Sequence, residues 1–418
     1  MNRWAAGRPA SFGVIASSDT ALTARIGRGH VVPVQDRGPR EVVMTGLSRR
    51  AVLGGVVGAA ALGVLAGCQS TPSGPPGGAR NGAEPMLMPH ESGPHVRTFM
   101  SWPSVRSDWG PALEAVRGDL ARISQAIARY EPVVMVASPE DVAGAGRACG
   151  SAVEVVDLPV DNLWARDSFP KFVAGGGAVA GVDLNFNGWG AKPGINYAHD
   201  ARAAAGLLAH FGLERRQAPL VSDGGSIETD GLGTLLATES SIVIDNRNPG
   251  RTRADIERAL LDTFGARTVV WFEGVKGEEI TDCHVDTLTR IPSPGVVLLN
   301  RPAPGTPPDV WSKVSDQARS VLRDATDARG KPFTVVELPE ADPGKIRGGG
   351  ETFVASYANY YVCNGAVLLP EFGDKQADDR AAGLLREHFP GRDVVQLNID
   401  TLATGDGGIH CATQDQPV

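Results

Sequence analysis

The sequence predicts an α/β fold for the chain after residue 85, because short apolar segments typical of strands alternate there with amphipathic segments typical of helices. No long linker interrupts this alternation, and similar units recur with a period of roughly 60 residues. About 330 residues take part, which is enough for one large domain or two smaller ones. These observations indicate an α/β domain with a coarse internal repeat.

Each predicted element follows from the spacing of its apolar residues. Apolar residues that recur at helical spacing predict helices, and short runs rich in β-branched and other apolar residues predict strands. The predicted helices cover residues 112–129, 198–211, 252–264, 308–328 and 376–388. The predicted strands cover residues 133–137, 268–272, 296–299, 333–338, 366–369 and 394–400.

The front of the chain carries the pattern of an export signal. Arg49 and Arg50 precede an uncharged run, residues 51–67, which ends in Leu-Ala-Gly before Cys68. This run is shorter than the roughly 20 apolar residues that a membrane-spanning helix needs, which makes an uncleaved anchor the weaker interpretation. The segment resembles a twin-arginine signal of a bacterial lipoprotein, with Cys68 as the residue that would carry lipid. The sequence therefore predicts twin-arginine export and an extracytoplasmic, membrane-anchored protein.

Four segments follow from this pattern. Met44 lies just ahead of the signal, so residues 1–43 are predicted to be a mis-called or disordered leader and residues 44–68 the signal itself. Residues 69–85 consist mainly of Ser, Thr, Pro, Gly and Ala, which is the composition of a flexible linker. Residues 86–418 form the predicted folded domain.

The charge of the chain argues against a nucleic-acid partner. The formal net charge is −8, and residues 1–50 contribute +5 of it through eight Arg and three acidic residues, so the mature part carries −13. Such an acidic protein repels nucleic acid and mildly favours a cationic substrate. Ordinary solubility explains the same charge equally well.

Cysteine usage predicts neither a zinc site nor a disulfide framework. Besides Cys68, the chain has Cys149, Cys283, Cys363 and Cys411, with no Cys-x-x-Cys spacing. Structural zinc normally requires such closely spaced ligand pairs. The spacing leaves a single disulfide open.

Two polar loops are candidates for substrate contacts. The first, residues 161–170, gathers Trp164, Arg166 and Asp167 after an apolar strand. A structural Asp–Arg pair would explain part of this composition, but a carboxylate beside an aromatic plane also suits a flat cation such as guanidinium. The second, residues 223–231, lacks the Gly-Lys-Ser/Thr of a phosphate loop and is best interpreted as a glycine-rich turn, although its acidic residues are able to meet an amine.

His284 and Asp286 form the third candidate. If residues 281–288 form a strand, these two side chains lie on the same face of it. A histidine and a carboxylate on one face are able to bind metal or to transfer protons. The metal interpretation lacks a second histidine nearby, and a purely structural role remains open.

Cys411 is the fourth candidate, since it follows Gly405, Gly407 and Gly408 in a segment that allows sharp turns and close approach. A thiolate is a strong nucleophile when a histidine lies within reach. A catalytic site that needs neither metal nor cofactor would result if the fold brought together Asp167, His284, Asp286 and Cys411. In it, the two carboxylates hold a guanidinium group and bring its central carbon to the sulfur.

Five ordered motifs in residues 86–418 resemble those of the agmatine deiminases and the bacterial-type peptidylarginine deiminases. They are Trp164-Ala165-Arg166-Asp167, Asn246-Arg247-Asn248-Pro249, Thr281-Asp282-Cys283-His284-Val285-Asp286, the Asn364–Asp374 segment, and Gly405-Asp406-Gly407-Gly408-Ile409-His410-Cys411.

The resemblance implies a pentein fold, which is a five-bladed α/β propeller with pseudo-fivefold ββαβ repeats. It also implies Cys411 as nucleophile, His284 as acid and base, and Asp167 with Asp286 as guanidinium ligands, beside Trp164 in substrate binding. No cofactor and no metal are implied. Residues 86–418 are then a deiminase catalytic domain.

Two positions depart from the family pattern. Agmatine deiminases usually have an acidic residue four positions before the histidine, where this chain has Ile280, and Glu279 replaces it only if the backbone shifts. They also usually have Gly directly before the histidine, where this chain has Cys283. The first departure bears on the identity of the substrate more than on the chemistry.

Three functions follow as hypotheses. The main one is a hydrolase of C–N bonds in linear amidines that converts agmatine to N-carbamoylputrescine and ammonia, as in putrescine biosynthesis. The alternative is a peptidylarginine deiminase that acts on arginine residues of peptides. From a different class, the chain would be a lipoprotein that binds a guanidinium compound without turning it over.

Overall fold

The computed structural model describes residues 86–350 and 352–418. The predicted leader, signal and linker, with Arg49, Arg50 and Cys68, lie outside the described residues. The predicted boundaries therefore stay predictions. No helix among the described residues is long and apolar enough to span a membrane.

Sixteen strands and ten α-helices occur in the described part of the chain. The strands are β1 His95–Ser101, β2 Val133–Ala137, β3 Val153–Asp157, β4 Lys171–Gly175, β5 Ala178–Asp183, β6 Glu214–Gln217, β7 Ile227–Thr229, β8 Thr234–Thr238, β9 Thr268–Phe272, β10 Thr289–Ser293, β11 Val296–Arg301, β12 Thr334–Pro339, β13 Tyr361–Cys363, β14 Ala366–Glu371, β15 Asp393–Asn398 and β16 Thr413–Pro417. The helices are α1 Leu113–Ile127, α2 Val142–Cys149, α3 Ala165–Ser168, α4 Gly188–Ala191, α5 Asp200–His210, α6 Glu239–Ile242, α7 Arg253–Phe264, α8 Val285–Leu288, α9 Val310–Asp324 and α10 Lys375–His388.

The strands of residues 86–350 and 352–418 form five small sheets with a shared topology. In four of them, a hairpin is followed by a helix that crosses over to a parallel third strand. The crossover helices of these four sheets are α5, α7, α9 and α10. The fifth sheet has the order β16-β1-β2-β3 and obtains its antiparallel strand from the end of the chain. The mixed α/β prediction is confirmed.

The chain end is fixed by pairing rather than by packing alone. Strand β16 runs antiparallel to β1, with Thr413 opposite Met100 and Pro417 opposite His95. Cys411 lies two residues before this strand, so the pairing holds it in a defined place. The two ends of the described chain are thus joined in one sheet.

Capping interactions mark the ends of two crossover helices. Helix α7 starts with a capping box, in which Thr252 and Asp255 satisfy each other's backbone donors, and it ends at Gly265 with a left-handed φ of 63°. Helix α9 starts with the same device at Asp309 and Ser312. These signals explain why the predicted helix over 252–264 agrees with α7 to within one residue.

The prediction of a strand over residues 281–288 is wrong. Asp282 and Cys283 adopt left-handed backbone conformations, with φ of 63° and 72°, and the short helix α8 begins directly after His284. Ion pairs from the partly exposed Lys192 (2.8 Å) and the buried Arg247 (3.2 Å) to the buried Asp282 hold this turn. Sequence periodicity does not contain these long-range contacts.

Candidate active site

Three predicted site residues converge on the space above Gly225. A methyl group placed on this glycine would lie 2.6 Å from His284 Nδ1, 3.0 Å from Asp167 Oδ1 and 3.1 Å from Asp286 Oδ2. The glycine belongs to the 223–231 loop, which forms a turn of 3₁₀ helix and then strand β7. The absence of a side chain at this position leaves room among the three polar groups.

Asp167 is held by two donors. Its Oδ1 accepts a hydrogen bond from the Gly225 backbone N–H at 2.9 Å, and its Oδ2 accepts one from the Trp189 indole at 2.9 Å. Burial, together with Asp223 and Asp286, raises the pKa of Asp167 above its usual value, although the charge of His284 opposes the rise. The carboxylate is therefore well oriented, and a bound cation would favour its ionised form.

His284 lies between two carboxylates. Its Nε2 is 3.1 Å from Asp223 Oδ2, and its Nδ1 is 3.6 Å from Asp167 Oδ1. Burial alone would lower the pKa of His284, but the charge of Asp167 and the charge and hydrogen bond of Asp223 raise it to about 9. At neutral pH this histidine is a charged proton donor.

Asp223 in turn is fixed by Arg247, which approaches its Oδ2 with Nε at 2.9 Å and Nη2 at 2.7 Å. Burial would raise the pKa of Asp223, but Arg247 and His284 outweigh it and lower the pKa. The buried cation therefore keeps Asp223 ionised beside the histidine. Asp223 acts as the orienting partner of His284.

Asp286 presents one occupied and one free oxygen. Its Oδ2 accepts a hydrogen bond from His410 Nδ1 at 2.7 Å and lies 3.5 Å from Cys411 Sγ. Its Oδ1 is buried and has no hydrogen-bond partner among the described residues. An unpaired buried carboxylate oxygen is costly unless a ligand meets it. The carboxylate as a whole therefore keeps acceptor capacity for a ligand with N–H donors.

Cys411 is buried beside Asn359. The Asn359 side chain donates from Nδ2 to Cys411 Sγ at 3.2 Å and accepts from the Cys411 backbone N–H at 3.3 Å. Burial, with the negative charges of Asp286 and Asp167, raises the pKa of the Cys411 thiol well above its usual value. The four cysteines of the described ranges are free thiols.

Trp164 forms an aromatic wall next to the nucleophile. Methyl groups placed on Gly405 and Gly407 would lie 3.2 Å and 2.5 Å from its ring, and the one on Gly407 would also lie 3.2 Å from the Cys411 Cβ. Trp109 packs at a ring-centre distance of 6.2 Å. The glycines before Cys411 are thus required by close approach to this ring.

Ile280 and Glu279 make different contacts beside the site. Ile280 is half-buried and packs against the apolar cluster that contains Trp164 and Cys411. Glu279 binds its own loop, with Oε1 accepting from Thr281 Oγ1 at 2.7 Å and from the Cys283 backbone N–H. Glu279 therefore supports the turn that precedes His284.

The arrangement has the parts of a covalent hydrolase. A buried thiol, a charged histidine and two carboxylates with free or shared oxygens surround one small space. Two carboxylates suit a planar cation better than an anion or a neutral group. In the described part of the chain, no group of three or more His, Cys, Asp or Glu side chains is placed to hold a metal ion.

Four further residues around the site have roles that the sequence does not predict. The sequence places Asp223 in a glycine-rich turn whose acidic residues are able to meet an amine, and His410 in the motif that ends at Cys411, and it does not mark Asn359 or Trp189. Asp223-Gly-Gly carries a local signal, since a carboxylate beside two glycines permits close backbone approach. Asn359 and Trp189 meet their partners 52 and 22 residues away, respectively, and nothing in the local pattern marks them.

Comparison with known proteins places this geometry in a family. A family model described as Porphyromonas-type peptidyl-arginine deiminase matches residues 87–417. A provisionally named agmatine deiminase of Streptomyces coelicolor is 38% identical over 337 residues, which cover 79% of this chain and 98% of that protein. The agmatine deiminase of Stutzerimonas stutzeri is 34% identical over 352 residues, covering 79% of this chain and 95% of the relative.

Solved structures give the same result. The structure described as agmatine deiminase of Enterococcus faecalis superposes with a TM-score of 0.73 at 26% sequence identity. The match covers 81% of this chain and 98% of that one.

Proposed function

The chain belongs to the Porphyromonas-type peptidyl-arginine deiminase family, and from that premise we propose that it hydrolyses the guanidinium group of agmatine to N-carbamoylputrescine and ammonia. The relatives from Stutzerimonas stutzeri and Streptomyces coelicolor carry the agmatine deiminase name. The match with this chain spans nearly the whole length of each of them. The enzyme class is accordingly a hydrolase of C–N bonds in linear amidines. Cys411, His284, Asp167 and Asp286 are its proposed catalytic residues.

The single observation that carries the proposal is the set of polar atoms around Gly225. Asp167 Oδ1, Asp286 Oδ2 and His284 Nδ1 all lie within 3.1 Å of one point in this space. Asp286 Oδ1 and His284 Nδ1 have no hydrogen-bond partner among the described residues. The two carboxylates are acceptors that complement a planar group with several N–H donors. Cys411 Sγ lies 3.5 Å from Asp286 Oδ2.

Binding comes first and changes the thiol. The guanidinium donates to Asp167 and Asp286, with its plane against Trp164. Its positive charge offsets the two carboxylates that hold the Cys411 pKa high, so the sulfur loses its proton more readily once substrate is bound. This proton passes to solvent water, where it converts the released ammonia to ammonium. The free enzyme keeps an unreactive thiol under this mechanism.

The sulfur then attacks the guanidinium carbon and forms a C–S bond. His284, which is protonated at neutral pH, gives its proton to the departing –NH₂, and the C–N bond breaks to release ammonia. The product of this half-reaction is a thioether-linked amidinium on Cys411. His284 is left neutral.

Water completes the cycle. Neutral His284 takes one proton from the water as its oxygen attacks the same carbon, and the C–S bond breaks to return Cys411 as the thiol, which takes the second proton. The released product carries a ureido group. The net change is one guanidinium and one water converted to one urea group and one ammonium ion.

Turnover is tested by incubating residues 86–418 with agmatine and measuring ureido product and ammonia. The matched control is Cys411→Ala, which removes the nucleophile and keeps the backbone. Activity well above that control is expected. Turnover equal to it would overturn the proposal, and tight reversible binding without ammonia would assign the chain to the non-catalytic binders.

Peptidylarginine deimination is the second candidate, because the matching family model has that name. The assay is therefore run in parallel with agmatine, free arginine and an arginine peptide. Citrulline in the peptide with agmatine untouched would favour protein citrullination. Turnover of agmatine alone supports the main proposal.

We also propose a blade architecture and an export route for this chain. The five sheets with repeated strand–strand–helix–strand order support a five-bladed pentein propeller, in which each sheet is one blade. Arg49, Arg50 and Cys68 support twin-arginine export and lipid attachment outside the cytoplasm. Cys68→Ala is expected to release the exported protein from the membrane fraction, and unchanged membrane attachment would contradict lipidation at Cys68.

A further inference from the structure

A buried chain of polar contacts leads away from the candidate site behind Asp286. His410 Nδ1 is 2.7 Å from Asp286 Oδ2, and His410 Nε2 is 2.9 Å from Glu91 Oε2. Glu91 comes from the first residues of the described chain and His410 from the last ones. The proposed reaction assigns no role to either of them.

His410 lies between two buried carboxylates. Both ring nitrogens face a carboxylate oxygen, and an ionised carboxylate only accepts hydrogen bonds. Each nitrogen is therefore placed to donate a hydrogen to its carboxylate, and the ring bridges the two acids. Only 1% of the side chain is exposed, so solvent does not replace either partner.

Glu91 is held in its charged form by further cations. Its Oε1 is 2.8 Å from Arg290 Nη2 and its Oε2 is 3.0 Å from Arg166 Nη2, while the Val362 backbone N–H donates at 3.0 Å. Burial would raise the pKa of Glu91, but Arg290, His410 and Arg166 hold it well below its usual value. Glu91 is therefore a fixed anion against the far side of His410.

We propose that Glu91 and His410 are positioning residues that form a charged relay with Asp286, keeping Asp286 ionised and fixing its carboxylate beside Cys411 and the space above Gly225. This inference rests on the proposed function and names what maintains its guanidinium-binding carboxylate. His410 occupies Oδ2 and leaves Oδ1 unpaired.

The other charged groups around Asp286 do not replace the relay. Burial opposes its ionisation, whereas the hydrogen bond and charge of His410, followed by the charges of His284 and Arg290, lower the pKa of Asp286 to about 2. Asp167 and Cys411 face it from the site, and neither is a cation. Without His410 the nearest direct donor to the carboxylate is lost.

The test compares pH profiles of His410→Asn and the wild-type enzyme. The asparagine amide is able to donate to Asp286 from nearly the Nδ1 position, but it carries no charge. We expect kcat/KM for agmatine at pH 6 to fall at least tenfold, mainly through KM. We also expect Asp286 to replace Asp167 as the group that sets the acid limb, which then moves up by about one pH unit or more, with partial recovery at pH 8.5.

Asp415→Asn is the matched control, because Asp415 pairs with Arg166 at 3.1 Å in the same buried network and does not contact His410 or Asp286. It should lower the melting temperature without moving the acid limb. If the His410→Asn enzyme has a lower melting temperature but an unchanged acid limb of the pH profile, the relay proposal is overturned.

A second measurement does not depend on a folded variant. Neutron diffraction from deuterium-exchanged crystals of the wild-type domain should show deuterium on both ring nitrogens of His410. Deuterium on a single nitrogen would contradict the charged relay. If the wild-type enzyme turns over no guanidinium compound, the proposed function fails, and the neutron result still decides the protonation of His410.

Discussion

Asn359 and Cys411 contact each other twice, once through the sulfur and once through the backbone. The amide Nδ2 donates to Sγ at 3.2 Å, and the Cys411 N–H donates to Oδ1 at 3.3 Å. The pair therefore fixes both the position of the sulfur and one polar contact to it. Its hydrogen bond to sulfur should strengthen when the thiol becomes a thiolate, because bonds to charged groups are stronger.

Asn359→Ala should lower kcat about 10- to 100-fold, since a hydrogen bond to a charged group is worth about 1.5–3 kcal/mol. Steady-state assays with agmatine measure the effect. Asn398→Ala is the control, because Asn398 bonds Asp400 away from the sulfur and should leave kcat unchanged. Equal kcat in wild type and Asn359→Ala would mean that the contact is not used in the reaction.

Gly225→Ala should reduce kcat/KM by about 100-fold or more. The added methyl group would lie 2.6 Å from His284 Nδ1, so the histidine or the loop must shift, and displacements near 1 Å cost about this much in rate. Gly144→Ala is the matched control: it lies in helix α2, its added methyl group meets no atom within 4 Å, and it should stabilise the fold by up to about 1 kcal/mol. Full activity in Gly225→Ala would show that this space is not the substrate site.

Trp189→Phe should raise the KM for agmatine about tenfold. The substitution removes the indole N–H that holds Asp167 Oδ2 at 2.9 Å, and that hydrogen bond helps to keep Asp167 ionised against burial. Trp271→Phe removes an equivalent 2.9 Å hydrogen bond to Glu257 and should not change KM. If the KM of Trp189→Phe is unaltered, the orientation of Asp167 by Trp189 does not contribute to substrate binding.

The pH profile of kcat/KM should be bell-shaped, with its basic limb near pH 9. His284 has a pKa raised to about 9, so its proton-donating form is present below that pH and is lost as the pH rises through it. Protonation of Asp167, whose pKa is raised, should produce the acid limb. A flat profile between pH 5 and about 10 would contradict the assignment of this pair.

Asp223→Asn should move the basic limb to lower pH, because Asp223 supplies both a hydrogen bond and a negative charge to His284. Asp282→Asn is the matched control. It also takes a buried carboxylate from Arg247, at 3.2 Å, but Asp282 does not contact the His284 ring. Both variants should be less stable than the wild type. If both variants displace the basic limb of the pH profile by the same amount, Asp223 has no specific effect on His284.

The candidate residues could be found from the sequence because their types are rare in combination. Trp164, Asp167, His284, Asp286 and Cys411 stand in short polar motifs between apolar segments, and the structure places them in one region. Their roles remain predictions. Spacing alone led to a wrong local conformation around His284, because the left-handed Asp282 and Cys283 depend on ion pairs with distant Lys192 and Arg247.

The sequence by itself determined the α/β class, the main helices and strands, and the residue types that chemistry at this site requires. Local periodicity, capping boxes and turn glycines act between neighbours, so they are visible in the chain order. Only the tertiary structure decided that Asp223 faces His284, that Asn359 holds Cys411, and that Glu91 reaches His410 across 319 positions. Such contacts form where distant loops meet, and their energies come from burial and charge, which no local pattern encodes.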